Sequence, residues 1–198
     1  MATGTEPDMY KAGKAVLSLE EVNAYIAPEA TRRRQQTCRR LLQWWVEFAA
    51  DHLIVYWAYS GTMLGALRHG AFVPWDDDMD LNLPQESLQR LLSLSLPDGV
   101  SIKLSPLGAC YRLTMSGSEG FVDLFPVMER DGLVQYALDM ARKMFPHDYA
   151  RYDEVYPLSQ GGFDGLVLPI PRQAEACLAR MYGPNWRTEY VVAALHTD

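Results

Sequence analysis

The chain has 198 residues, 48% of them hydrophobic and 22% charged, with 5 Trp and 11 Tyr, a make-up that builds a core and excludes a disordered chain. Its length suits one domain around one sizeable core. A formal net charge of -7 excludes a nucleic-acid binder that works by blanket phosphate neutralisation, so a phosphate substrate must be met by local Arg or by a metal ion.

Residues 1–17 have weak patterning and read as an N-terminal tail, with one domain over residues 18–198. Ser18 followed by Glu20 and Glu21 reads as the N-cap and acidic first turn of a short helix. Pro28 and Glu29 open a longer helix to about Leu53, with Leu41, Leu42, Trp45, Phe48, Ala49 and Leu53 as its buried stripe. Its earlier half carries Arg32, Arg33, Arg34, Arg39 and Arg40, read as a solvated face in preference to a phosphate-binding patch. Residues 54–59 form a strand ending at Ser60-Gly61, residues 62–68 a short helix and residues 70–75 a loop. Residues 78–83 alternate acid and apolar up to Pro84, the pattern of a half-buried strand, and residues 85–94 are helical. Strands follow over residues 100–104, 110–115 and 121–125, then a helix over residues 134–144 and a flexible loop at Gly161-Gly162. Pro171 starts a last helix through Met181, closed by Gly183 and Pro184. Helices first, then strands mixed with helices, give an α+β (mixed α/β) class with one mixed central sheet flanked by helices.

Cys38, Cys110 and Cys177 lie far apart with no CxxC pair, which gives neither a zinc site nor a disulfide framework and points to a reducing compartment. The N-terminus lacks the basic and apolar regions of a signal peptide. The richest apolar stretch, residues 41–67, is broken by Glu47, Asp51, His52 and Gly61 and supplies no membrane span. The expectation is a soluble, cytoplasmic chain, with Golgi association only for a longer or membrane-recruited natural chain.

The most informative residues are Asp76, Asp77, Asp78 and Asp80. Alternate side chains of a strand share a face, so Asp78 and Asp80 emerge together, and such crowding costs free energy unless a cation or proton compensates it. Hard oxygen ligands suit Mg2+ or Mn2+. An EF-hand loop is rejected: with Asp76 as first ligand, Leu81 stands at the glycine position and Ser87 at the closing Glu position. Asp123, between apolar neighbours, needs a partner, either the same metal or a cation such as Arg112. Gly61 and Thr62 stand at a strand-to-helix junction whose free N–H groups favour an anion, a weak signal alone. Arg68 clamps a phosphate or pins the acidic loop, and His69 is more plausibly structural than an acid or base.

The run Tyr59-Ser60-Gly61-Thr62-Met63-Leu64-Gly65-Ala66-Leu67-Arg68-His69-Gly70, followed by Phe72-Val73-Pro74-Trp75-Asp76-Asp77-Asp78-Met79-Asp80, closely resembles the signature of the LicD/fukutin family. Val122-Asp123-Leu124-Phe125-Pro126 and Pro169-Ile170-Pro171 with residues 178–183 agree with its later segments, so the resemblance spans roughly residues 29–186. It implies a nucleotidyltransferase-like fold in which Gly61 and Thr62 hold donor phosphate, with Arg68 alongside, and Asp78, Asp80 and Asp123 surround Mg2+ or Mn2+. Asp76 and Asp77 then orient those ligands or support Arg68. The implied chemistry is metal-dependent transfer of phosphocholine, ribitol phosphate or a similar group from a CDP-linked donor to a hydroxyl of a glycan, with Asp123 assisting deprotonation. The alternatives are nucleotidyl (NMP) transfer from NTP and a non-catalytic binding protein retaining the fold. The zinc-binding cysteines of some eukaryotic relatives have no counterpart here, and no family signature interprets residues 32–40 or the Gly161-Gly162 segment.

Overall fold

A computed structural model describes residues 15–192. Strand β1 (Ala15–Leu17) leads into helix α1 (Leu19–Ala24), which Ser18 opens through a capping box with Glu21, as the sequence predicts. Ala15–Leu17 thus lies in regular structure although the sequence places it in the tail; the rest of that tail, residues 1–14, falls outside the described residues.

Helix α2 (Glu29–Asp51) buries Cys38, Leu41, Leu42, Trp45, Phe48 and Ala49 on one side, at the spacing the sequence shows, but Leu53, expected at the end of that stripe, lies beyond the helix and is exposed. After it the expected strand over residues 54–59 shrinks to β2 (Trp57–Ala58). Leu53 turns through φ 55°, the Ile54 N–H donates to the Ala49 carbonyl and the Val55 N–H to the Ser87 hydroxyl, so these donors are spent before a ladder can form.

Helix α3 (Ser60–Arg68) and strand β3 (Met79–Pro84) flank the acidic loop, and α4 (Gln85–Leu92) follows. Strands β4 (Val100–Leu104), β5 (Tyr111–Met115) and β6 (Phe121–Arg130) complete the middle of the sheet. The order is β2-β3-β6-β5-β4, with the β3/β6 pair parallel and its neighbours antiparallel. Period-2 alternation sorts this pair: Met79, Leu81, Leu83, Val122 and Leu124 are buried in one cluster with the α2 stripe, whereas Asp80 and Asp123 occupy the alternate positions. The two acids are register partners.

The helix expected over residues 134–144 is corrected in its first half. Asp131 and Gly132, at φ 54° and 77°, make a two-residue hairpin, and β7 (Leu133–Tyr136) returns along β6 before α5 (Asp139–Met144) begins. Strand β8 (Tyr149–Arg151) adds to β7, and α6 (Tyr152–Val155) follows. Gly161-Gly162, expected as a flexible loop, lies instead within β9 (Ser159–Phe163), which pairs with β10 (Leu166–Ile170) through a second Asp-Gly hairpin at Asp164-Gly165. Helix α7 (Ala174–Tyr182) starts later than Pro171 because the Arg172 and Gln173 N–H groups donate to Val155 and Glu154 carbonyls of α6. Finally β11 (Tyr190–Val192) pairs antiparallel with β1, tying the two ends of the described chain together. Among the described residues no helix is long and apolar enough to cross a membrane.

Candidate active site

The junction of β2, α3 and β3 assembles the acids. The Tyr59 N–H donates to the Asp80 carbonyl (3.1 Å), and the Asp80 N–H donates to the Thr62 hydroxyl (2.8 Å), stitching the first turn of α3 to the start of β3. A Cβ at Gly61 would collide with the Asp76 carboxylate and stand 3.7 Å from Asp80 Oδ2, so glycine lets the acids lie directly against the helix turn. The Gly61 N–H donates to the Asp80 carboxylate. Ser60 holds φ 47°, a left-handed setting that costs a non-glycine residue about 1–2 kcal/mol. The Ser60 and Tyr182 hydroxyls are 3.1 Å apart, joining this turn to the end of α7.

Helix α2 holds the acidic loop from the other side. Gln35 Nε2 donates to the Asp76 carbonyl (2.7 Å) and more weakly to that of Pro74 (3.4 Å), and Arg34 pairs with the Asp77 carboxylate. Arg39 pairs with Asp164 at 2.6 Å and covers the Phe72 ring. The arginine run is therefore only partly a solvated face: Arg34 and Arg39 tie the helix to the chain around the site.

Between these elements lies a cleft of about 280 Å³ lined by Gly61, Asp76, Asp77, Asp78 and Asp80, with Tyr25 and Trp75 at one side and Arg68, Tyr182 and Val191 at the other. Tyr25 and Trp75 meet edge to face, with centroids 5.8 Å apart. Burial and the charge of Asp78 raise the Asp76 carboxyl well above the usual carboxylate range, helped by a hydrogen bond between the two side chains. Burial and the charge of Asp123 raise Asp78; burial and the charges of Asp78, Asp76 and Asp123 raise Asp80 well above it. Such a cluster holds protons at neutral pH or holds a cation in their place.

The sequence-predicted residues take unequal places. Asp76, Asp77, Asp78 and Asp80 converge on the cleft with Gly61. Thr62, expected beside a donor phosphate, is only 3% exposed, and its hydroxyl is engaged by the Asp80 N–H, so it holds the strand. Arg68 reaches the cleft, but Nη1 donates to the Trp186 and Glu189 carbonyls, Nε donates to His69 Nε2, and the guanidinium covers the Tyr190 ring. Burial first, then the Arg68 charge, pushes His69 down to about 4 and leaves it neutral, the structural role expected of it. Asp123 takes the cation alternative: both its oxygens accept from Arg112, at 2.9 and 3.1 Å, while the guanidinium covers the Phe121 ring. Gln35, Tyr25, Trp75 and Tyr182 carry no sequence motif of their own; Trp75 and Tyr182 lie inside or beside the quoted signature, but nothing local marks Gln35 or Tyr25.

The donor set fits a hard divalent ion in one respect and departs from it in another. Asp78 and Asp80 supply buried carboxylate oxygens, the one or two that Mg2+ or Mn2+ takes when substrate phosphates complete its shell. Among the described residues, however, no three His, Cys, Asp or Glu side chains already surround one cation position, and Asp123 is turned toward Arg112.

A mixed sheet with an acid-bearing parallel pair beside a glycine-led helix turn defines a fold and an acidic cleft rather than a particular enzyme. Residues 53–173 match the family described as LicD/FKTN/FKRP, nucleotidyltransferase domain, and the chain belongs to that family. Over 184 residues it is 26% identical to the uncharacterized protein RP689 of Rickettsia prowazekii, covering 91% of this chain and 65% of that one. It is 33% identical over 63 residues to the lipopolysaccharide cholinephosphotransferase LicD of Haemophilus influenzae, covering 32% of this chain and 24% of LicD. To the human ribitol 5-phosphate transferase FKRP it is 29% identical over 142 residues, covering 66% of this chain and 28% of FKRP. The chain thus spans between about a quarter and two thirds of the length of these relatives. Among solved structures, the adenylyltransferase LnuA with bound lincomycin aligns at a TM-score of 0.46 and 16% identity, over 69% of this chain and 81% of that one.

Proposed function

We propose that the chain transfers a phosphate-linked group, such as phosphocholine or ribitol phosphate, from a CDP-linked donor to a hydroxyl of a glycan acceptor. The observation that carries this reading is the burial of Asp76, Asp78 and Asp80 against the glycine-led first turn of α3, in a member of a family whose named relatives are transferases of such groups. Asp78 and Asp80 would hold Mg2+ or Mn2+, whose charge would offset that of the donor diphosphate and of the leaving CMP. Gly61 lets Asp76 and Asp80 lie against the first turn of α3, and Asp76 sits where it orients Asp78 through their shared hydrogen bond. The acceptor oxygen forms a bond to the donor's distal phosphorus as the bond to CMP breaks, CMP leaves with the electron pair, and the acceptor's proton passes to the carboxylate of Asp123. Arg112 fixes the orientation of that carboxylate through two hydrogen bonds.

Thermal denaturation with CDP-ribitol, CDP-choline, CDP-glycerol or CTP, each with and without Mg2+ or Mn2+, tests the proposal, since a ligand selective for the native state raises its stability. Metal-dependent stabilisation by one CDP-linked donor, followed by CMP release, is the expected result. Stabilisation by CTP alone would turn the reading to nucleotidyl transfer, and the absence of any ligand effect would remove support for a nucleotide-using enzyme.

A further inference from the structure

Asp123 stands between two clefts. On one side it is the register partner of Asp80 in the parallel pair; on the other it lines a separate cleft of about 260 Å³ between the β4/β5 turn and the end of α5. The rows of the sheet explain how. Asp80, Asp123, Arg112 and Lys103 are successive register partners across β3, β6, β5 and β4, so the row passes from Asp80 at the first cleft through Asp123 to two cations running out to the sheet edge. The second cleft opens over the middle of that row. Its floor is the Asp123–Arg112 ion pair, and its walls are Cys110, Leu107, Met144 and Phe145.

Phe145 packs edge-on against Phe125 and Tyr136, yet the walls as a set stay open to solvent. Leu107 is 65% exposed, Met144 42% and Phe145 37%, yet they face a common hollow next to a nearly buried carboxylate. Apolar and aromatic walls around a few fixed polar groups are the make-up of a small-molecule site. A planar carboxylate–guanidinium pair in a cleft with an aromatic wall suits one class of ligand in particular: a sugar ring, which presents C–H groups on its faces and hydroxyls around its rim. The volume of about 260 Å³ lies just below the roughly 300–1,000 Å³ usual for ligand sites, room for one ring and not for an extended chain.

We propose that this second cleft is the acceptor subsite: it binds a single glycosyl ring against Leu107 and Phe145 with one ring hydroxyl at Asp123. This rests on the transferase reading above, because it gives the acceptor a place from which that hydroxyl reaches a donor held in the first cleft. Donor and acceptor then approach from opposite sides of one carboxylate, which is why Asp123 lines the second cleft while its neighbour across the ladder lines the first. Arg112 is a positioning residue here, holding Asp123 and closing the floor.

Methyl-group NMR of the full chain tests this, with the Met144 methyl resonance assigned through a Met144→Leu variant among the 9 methionines. The probes are methyl β-galactoside, methyl α-glucoside and methyl β-N-acetylglucosaminide, with free ribitol as a ringless control. At least one pyranoside should move the Met144 methyl and ribitol should not. Leu107→Glu, a change at an exposed turn residue that leaves folding intact, should weaken that response at least about tenfold and raise the acceptor KM similarly, with the donor KM unchanged. Donor binding is read separately by the thermal shift with CDP and Mn2+. A silent Met144 with all three pyranosides, while CDP still stabilises the protein, would overturn the subsite and leave the transferase reading standing. A Met144 response that Leu107→Glu does not weaken would also overturn it. A Met144 response lost in Leu107→Glu, with no stabilisation by any CDP compound, would support the ring-binding cleft and sink the transferase reading instead.

Discussion

Asp80 accepts a hydrogen bond from the Gly61 N–H, yet burial and three neighbouring carboxylates still hold its proton affinity well above normal. Asp76 and Asp78 shift in the same direction. The folded chain therefore keeps protons at a pH where the unfolded chain, with ordinary carboxylates near about 4, has released them. Because stability falls with rising pH wherever the native state binds more protons, the metal-free chain should be more stable at about pH 5 than at about pH 7.5. Melting curves in a chelator at the two pH values measure this gap, and millimolar Mn2+ should close it at the higher pH; a flat profile with no metal response would remove the argument for a cation site. Asp80→Asn should narrow the same gap, leave the fold intact and lower transfer turnover by at least about 100-fold, read by CMP release. At this scale the sequence was informative in part: Asp78 and Asp80 line one cleft, although Asp78 lies in the bend just before β3 and not on the strand. It left open whether Asp123 meets a metal or Arg112, since Arg112 becomes its neighbour only through strand pairing.

Helix α2 was legible from its apolar period, but its role at the site was not, because Gln35 is a polar residue whose partners lie 39 and 41 positions away. Gln35→Ala would leave the Asp76 and Pro74 carbonyls without this donor and should cost roughly 1–3 kcal/mol, measured by chemical denaturation. The same variant should weaken donor binding, since the loop it frees carries Asp76, Asp77 and Asp78. Unaltered donor affinity in a destabilised variant would reduce Gln35 to a packing residue. The two misread segments share one cause. Asp131-Gly132 and Asp164-Gly165 are both two-residue hairpin signals that flank short strands, and in the sequence each competes with a stronger local pattern, a helical period over residues 134–144 and the Gly161-Gly162 pair. In β9 the glycine has a packing reason: a Cβ on Gly161 would come within 3.2 Å of Ile170 and 3.7 Å of Ala66 on α3, contacts that no local window contains.

Across the whole molecule, β1 and β11 bring the two ends of the described chain together beside the first cleft, where Val191 and Val192 form part of its wall. Arg68 links this ribbon to α3 by donating to the Trp186 and Glu189 carbonyls and covering the Tyr190 ring. Two roles for Arg68 then make different predictions. A phosphate clamp works chiefly through charge, so Arg68→Lys would keep most of the donor affinity. A strut works through the planar fork and its ring contact, which an ammonium cannot reproduce. The geometry favours the strut. Arg68→Lys should thus behave like Arg68→Met, lowering stability by about 1–2 kcal/mol and weakening donor binding several-fold through the loosened wall, as read by denaturation and by calorimetric titration of a CDP-linked donor. Affinity preserved in the lysine variant and lost in the methionine one would return Arg68 to the donor phosphate.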